Sequence, residues 1–127
     1  MMAPQSSVPR ILVVEDDANL HDLIVRVVQK SGCEAVSAHS GEQALSILRD
    51  PAEHVDWLLT DIRLSGAVDG WVVGSEFSLT HPLRPIIYMS GVERDSQSRA
   101  AVNSIFLQKP VDVHHLLRTF QELTAAA

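Results

Sequence analysis

The sequence at residues 10–17 reads RILVVEDD, an apolar run with β-branched residues that stops abruptly at three carboxylates. Residues 55–61 read VDWLLTD and repeat this arrangement, because a second, mostly apolar run ends at Asp61. A short apolar run bounded by charge is typical of a strand that is buried on both faces of a sheet. We therefore predict two buried strands, each of which carries acidic side chains at its carboxyl end.

Apolar runs and helical spacing alternate along the rest of the chain, and turn residues or capping residues separate them. The predicted strands are Arg10–Val14, Glu34–Ala38, Val55–Thr60, Ile86–Met89 and Ile105–Leu107. The predicted helices run around Leu20 to Val28, from Ser40 to Asp50, from Trp71 to Thr80, from Glu93 to Val102 and from Asp112 to Leu123. Parallel neighbours need crossover helices, so the alternation predicts an α/β fold with one parallel sheet covered on both faces.

Length and charge limit the classes of protein to which this chain can belong. With 127 residues, of which 46% are hydrophobic, we expect one domain over residues 10–127, preceded by a flexible tail over residues 1–9. The net charge of -6 leaves no basic stripe for nucleic acid or for an anionic membrane surface. No apolar run approaches the roughly 20 residues that cross a bilayer. The single cysteine, Cys33, fits a reducing, cytoplasmic compartment.

Polar side chains follow the predicted strands at their carboxyl ends. Glu15 and Asp16 follow the first strand, Asp61 the third, Ser90 the fourth and Lys109 the fifth. Because these strand ends share one edge of a parallel sheet, we expect the five residues to converge on one crevice. Three carboxylates in one crevice repel one another unless a divalent cation is present. The pattern therefore predicts a Mg²⁺ site that accepts a phosphoryl group, with an ammonium and a hydroxyl beside it.

Four short motifs occur in order at these strand ends: ILVVEDD, LLTDIRL, YMSG and FLQKP. Together they resemble the receiver domain of two-component response regulators, of the chemotaxis-regulator-like type, over Arg10 to Leu123. The resemblance implies a flavodoxin-like fold with strand order 2-1-3-4-5 and five helices. It also implies that Asp61 takes a phosphoryl group from a histidine kinase or a histidine phosphotransfer protein, and that the domain then signals to a downstream protein target.

The same resemblance assigns the metal ligands. Asp16 would be the main Mg²⁺ or Mn²⁺ ligand, and Glu15 would act through a water molecule. Asp61 and the backbone carbonyl of Arg63 would be the other ligands that the protein supplies. Lys109 would pair with the phosphoryl oxygens. The chain would thus catalyse only its own phosphorylation and dephosphorylation, and would not be an enzyme that acts on other substrates.

Ser90 and Phe106 are the switch residues that the resemblance implies. The hydroxyl of Ser90 would turn to the phosphoryl group, and Phe106 would then pack inward, which is the two-state element that phosphorylation biases. The likeness further implies a cis peptide bond between Lys109 and Pro110.

Three features depart from the pattern of the family. Glu15 stands where aspartate is frequent, which lengthens the reach to the metal, and Phe106 stands where tyrosine is frequent, so its ring has no hydroxyl. The interval from Ser90 to Lys109 is a few residues short for the family, which predicts a shortened or unwound fourth helix. The last two differences fall on the output surface, where a dimer through the last helices would form.

Two other functions compete with the receiver hypothesis. A phosphohydrolase would use Asp61 as nucleophile and would need a second acid two residues later, but Arg63 stands there. A docking module that had lost phosphorylation would not need the complete set of Asp61, Asp16, Ser90 and Lys109. Asp17 is predicted to cap the first helix rather than to bind metal. The sequence leaves open whether the domain is a stand-alone regulator or the receiver of a hybrid kinase.

Overall fold

The computed structural model describes residues 8–91 and 103–126. Its elements in chain order are β1 (Arg10–Val14), α1 (Ala18–Lys30), β2 (Glu34–Ala38), α2 (Gly41–Arg49), β3 (Trp57–Asp61), α3 (Gly70–Thr80), β4 (Ile86–Ser90), β5 (Ser104–Gln108) and α4 (Val113–Ala126). The described residues thus contain four helices where five were predicted, and the predicted helix over Glu93–Val102 lies outside them.

The five strands form one parallel sheet in the order β2-β1-β3-β4-β5, as predicted. The central strands β1 and β3 are buried along almost their whole length. This burial explains their nearly continuous apolar sequences, since both faces of an interior parallel strand are covered by helices. Because β1 and β3 are neighbours, the acidic residues that follow them come to the same edge of the sheet.

The helices cover the sheet in two layers. On one face, α1 and α4 pack against alternate residues of β1, among them Ile11 and Val13. On the other face, α2 and α3 pack against Leu12 and Val14. The alternation follows from the pleat of a strand, which sends successive side chains to opposite faces. Among the helices in the described part of the chain, none is long and apolar enough to cross a membrane.

Helix starts follow the capping residues that the sequence offers. The carboxylate of Asp17 accepts the N–H of Leu20 at 3.0 Å, which confirms Asp17 as the cap of α1. The hydroxyl of Ser40 accepts the N–H of Gln43 at 3.0 Å and starts α2 where predicted. These bonds satisfy N–H groups that have no partner within the first turn of a helix.

The prediction for the third strand was wrong at both ends, because β3 begins at Trp57 rather than Val55 and includes Asp61. At the beginning, the side chain of Asp56 accepts the N–H of Arg10 at 2.9 Å. The backbone N–H of Asp56 donates in return to the carbonyl of Arg10 at 2.8 Å. The residue-by-residue register with β1 starts at Ile11 and Trp57. At its end, Asp61 still pairs with β4.

Gly70, the first residue of α3, lies against the backbone of the β3 terminus. A Cβ atom at this position would collide with the carbonyl oxygen of Asp61 and would lie 2.7 Å from the Cα of Ile62. Backbone cannot move aside as a flexible side chain can, so Gly70→Ala should lower the free energy of unfolding by about 2 kcal/mol or more. Urea denaturation measures this change.

The control for this substitution is Gly91→Ala. A Cβ atom at Gly91 would meet no described atom within 4 Å, and the φ of Gly91 is not in the left-handed region. This variant should stay within about 0.5 kcal/mol of the parent. Equal stability of both variants would show that the backbone around Asp61 yields easily.

Candidate functional site

The carboxyl ends of β1 and β3 bring three carboxylates together, as the sequence predicts. One oxygen atom from each of Glu15, Asp16 and Asp61 lies within 4.8 Å of the others. Glu15 is fully buried and Asp61 is 4% exposed, whereas Asp16 is exposed to solvent. The cluster therefore has two buried members and one member that solvent reaches.

Lys109 supplies the opposite charge. Its Nζ donates a hydrogen bond of 2.7 Å to Oδ2 of Asp61 and lies 3.2 Å from Oε1 of Glu15. Burial of the ammonium lowers the pKa of Lys109, but the hydrogen bond to Asp61 and the charges of both carboxylates outweigh this effect, so the pKa is raised. Lys109 is therefore held in its charged form between two acids.

The backbone next to Lys109 fixes where its side chain enters the site. The N–H of Lys109 donates to the carbonyl of Ser90 at 2.8 Å, which ties the end of β5 to the end of β4. The peptide bond from Lys109 to Pro110 is cis, as expected. Ser90 is the last residue of β4 and is 9% exposed. The structure thus brings Ser90 to the same edge of the sheet as Lys109.

Of the three carboxylates in the cluster, Glu15 has the surroundings least favourable to a negative charge. Its Oε2 accepts the N–H of Asp17 at 3.0 Å, whereas its Oε1 is buried and pairs with the ammonium of Lys109 at 3.2 Å. Burial raises the pKa of Glu15, the N–H of Asp17 opposes this effect, and the charge of Asp61 adds to it. The ion pair of Oε1 with Lys109 offsets the cost of burial only in part. A further cation near Oε1 would favour the ionised form.

Asp16 is held by a residue that sequence reasoning missed. Oδ2 of Asp16 accepts the backbone N–H of Ser65 at 2.8 Å and the hydroxyl of Ser65 at 2.7 Å. The hydrogen bond from the hydroxyl lowers the pKa of Asp16, with burial opposing it and the backbone bond adding to it. The only sequence signal for Ser65 was its place in the turn-rich loop after Asp61.

Arg63 belongs to the same loop and is close to Asp61 through its backbone. The N–H of Arg63 donates a long bond of 3.3 Å to Oδ1 of Asp61. Oδ2 of Asp61 is already held by Lys109, so the two oxygens of this carboxylate have different surroundings. Oδ1 is the less firmly held of the two.

Phe106 lies on β5 away from the acids and is partly buried. Its ring stacks on that of Tyr88 with a centroid distance of 5.4 Å and lies 6.3 Å from the ring of Trp71. Tyr88 precedes Ser90 by two residues on β4. An aromatic cluster of Trp71, Tyr88 and Phe106 thus continues from the site along one face of the sheet, which the sequence did not predict.

Comparison with known proteins agrees with this geometry. Residues 11–121 match the family of the response regulator receiver domain. The sensor kinase CckA of Brucella abortus is 31% identical over 116 residues, which cover 89% of this chain. The crystal structure of a response regulator receiver protein from Sinorhizobium medicae is 28% identical, with a TM-score of 0.86 and coverage of 94% of this chain and 97% of that chain.

A third likeness is to the crystal structure of the receiver domain from the hybrid histidine kinase CckA. It is 28% identical, with a TM-score of 0.75, and covers 90% of this chain and 97% of that chain. The chain spans only 12% of the length of the Brucella kinase and less than half of two other curated relatives. The family match covers most of the chain, and the fold and the acidic cluster agree with it. The chain therefore belongs to the response regulator receiver domain family, the phosphoacceptor modules of two-component signalling.

Proposed function

We propose that Asp61 is the residue that accepts the phosphoryl group. One observation carries this proposal: the nearly buried carboxylate of Asp61 lies among the acids Glu15 and Asp16 and hydrogen-bonds the ammonium of Lys109 at 2.7 Å. A carboxylate between a potential metal site and a fixed ammonium is placed to attack a phosphorus atom whose oxygens both cations would neutralise.

The donor atoms at this edge of the sheet fit Mg²⁺ or Mn²⁺. Carboxylate oxygens are the ligands that these hard cations prefer, and Mg²⁺ commonly takes one or two carboxylates and leaves other positions to water and phosphate. The fully buried carboxylate of Glu15 also supports a second cation nearby, since the ammonium of Lys109, 3.2 Å from Oε1, is shared with Asp61. We assign Asp16 and Asp61 as direct ligands, the carbonyl of Arg63 as a third, and Glu15 as a ligand through water. A bound ion would neutralise charge that builds on the phosphoryl oxygens.

The reaction that we propose is transfer from phosphohistidine. An oxygen of the Asp61 carboxylate attacks phosphorus, a P–O bond forms, and the P–N bond breaks with its electron pair remaining on the imidazole nitrogen. Lys109, which now bonds Oδ2 of Asp61, would turn to the new phosphoryl oxygens. Attack of water on the acyl phosphate would later return the free carboxylate, and no other substrate is turned over.

We assign the conformational response to Ser90 and Phe106. The carbonyl of Ser90 accepts the N–H of Lys109 at 2.8 Å. Its hydroxyl therefore lies at the same edge of the sheet as the acidic cluster, where it could bind a phosphoryl oxygen. Phe106 packs on Tyr88, two residues before Ser90 on the adjacent strand. Movement of Ser90 would therefore reach Phe106 through Tyr88, which agrees with a switch that biases two packings of the ring.

The proposed partners follow from this chemistry. The phosphodonor is a histidine kinase or a histidine phosphotransfer protein in the cytoplasm, where ATP phosphorylates the kinase. The phosphorylated domain then signals to a downstream protein target. A dimer through the last helices would present a second interaction surface. The net charge of -6 argues against direct binding to nucleic acid or to an anionic membrane.

Incubation with Mg²⁺ and a small phosphodonor such as acetyl phosphate tests the proposal. Intact mass spectrometry should detect one added phosphoryl group that hydroxylamine removes, because an acyl phosphate reacts with this nucleophile. A sample with EDTA in place of Mg²⁺ should gain little or none. Absence of an adduct from the folded protein in Mg²⁺ would favour a docking module, and turnover of a phosphomonoester would favour a phosphohydrolase.

A further inference from the structure

We propose that Ser65 is a positioning residue that holds Asp16 ready for the metal ion, an inference that rests on the function proposed above. Ser65 donates to Asp16 twice, through its backbone N–H at 2.8 Å and through its hydroxyl at 2.7 Å. Both bonds end on the same oxygen, Oδ2. Two short bonds from one residue fix both the position and the orientation of the carboxylate.

The arrangement leaves Asp16 able to bind a cation. A carboxylate has about four lone-pair sites, and Ser65 occupies two of them. In this held orientation an oxygen of Asp16 already lies within 4.8 Å of the ligand oxygens of Glu15 and Asp61. Asp16 is exposed, so without Ser65 its side chain would sample several rotamers and would lose that freedom when the metal bound. Ordering before binding reduces this entropic cost.

The loop that carries Ser65 is itself held by a second contact. The backbone N–H of Ala67 donates to Oε2 of Glu42 on α2 at 3.1 Å. Gly66 lies between the two anchors with φ of 95°, a left-handed conformation that glycine adopts without strain. Glu42 therefore supports the turn from which Ser65 reaches Asp16.

Ser65 also connects two segments that we assign to the metal site. Asp16 follows β1, and Arg63, whose carbonyl we assign as a ligand, lies two residues before Ser65 in the loop after β3. The two bonds to Asp16 bring this loop to the β1 side of the crevice. Ser65 would thereby set the distance between two ligands that come from different parts of the chain.

The Ser65 hydroxyl could act on metal binding in two ways, and these predict opposite changes in Mg²⁺ affinity when it is removed. If the hydroxyl competed with the metal for the electron density of Asp16, its removal would strengthen metal binding. If the hydroxyl positions Asp16, its removal weakens binding. The sign of the change therefore decides between these two roles.

The test compares Ser65→Thr with Ser65→Val, two β-branched side chains of nearly equal shape of which only threonine retains the hydroxyl. Isothermal titration of the unphosphorylated protein with MgCl₂ measures the dissociation constant directly. We expect Ser65→Val to bind Mg²⁺ about three- to tenfold more weakly than the parent, because one hydrogen bond to a charged group is lost. We expect Ser65→Thr to stay within about twofold of the parent, since its hydroxyl replaces that bond.

The control is Ser75→Ala, which removes an exposed hydroxyl from α3 and should leave the affinity unchanged. Equal or tighter binding by Ser65→Val overturns the role of Ser65 and leaves the proposed function intact. A parent protein that binds no Mg²⁺ overturns both. If Ser65→Val melted at a lower temperature than Ser65→Thr in EDTA, the hydroxyl of Ser65 would stabilise the folded state rather than position Asp16. That result would also overturn the inference.

Discussion

Asp61→Asn should leave the protein folded and reduce the phosphoryl adduct to background, a loss on the order of 100-fold or more. The amide has nearly the shape of the carboxylate but carries no charge, so it is a poor nucleophile for phosphorus. It also cannot balance the ammonium of Lys109, which now bonds Oδ2 of Asp61 at 2.7 Å. Intact mass after incubation with Mg²⁺ and acetyl phosphate, followed by hydroxylamine, measures the loss.

The matched control is Asp69→Asn in the loop after β3. Asp69 caps α3 by accepting the N–H of Val72 at 3.0 Å, and asparagine is an equally good cap. This variant should gain the adduct at the rate of the parent. If Asp61→Asn still gained a hydroxylamine-labile phosphoryl group, another acid would be the acceptor, and the assignment of Asp61 would be wrong.

Lys109→Ala should leave the domain folded while reducing its conformational response to phosphorylation by about tenfold or more. Lys109 is the described cation that contacts both Glu15 and Asp61, and after phosphorylation its ammonium would bind the phosphoryl oxygens and pull the end of β5 with it. Without the ammonium, the phosphoryl group would lose its link to β5, which carries Phe106. Circular dichroism with and without a phosphoryl mimic, beryllofluoride with Mg²⁺, measures the response.

A second readout for this variant is tryptophan fluorescence, to which Trp71 contributes together with Trp57, because the ring of Trp71 lies 6.3 Å from that of Phe106. The chain has one other lysine, Lys30, which is exposed in the last turn of α1, so Lys30→Ala removes the same charge away from the site. Lys30→Ala should respond as the parent does. An unfolded Lys109→Ala would make Lys109 a structural residue, and an undiminished response would remove it from the switch.

The ends of a helix or strand were predictable wherever the sequence has a capping or stop residue at that position. The bounds of α2 followed from the cap Ser40 and from the stop at Asp50 and Pro51, and β2 was predicted residue for residue. The start of β3 was not predictable, because it depends on where this segment meets β1, through contacts such as those between Arg10 and Asp56, which are 46 residues apart. An apolar pattern identifies a strand but does not show where its neighbour begins to pair.

The sequence by itself determined the fold class, the strand order that the family motifs imply, and the set of acids and the lysine at the strand ends. These are local properties, since each depends on a run of a few residues and on the rule that parallel strands end at one edge. Only the tertiary structure decided which atoms meet: Lys109 with Asp61 across 48 residues, and Ser65 with Asp16 across 49. Such contacts depend on how loops from separate strands fold over the edge of the sheet, and no short stretch of sequence contains that information.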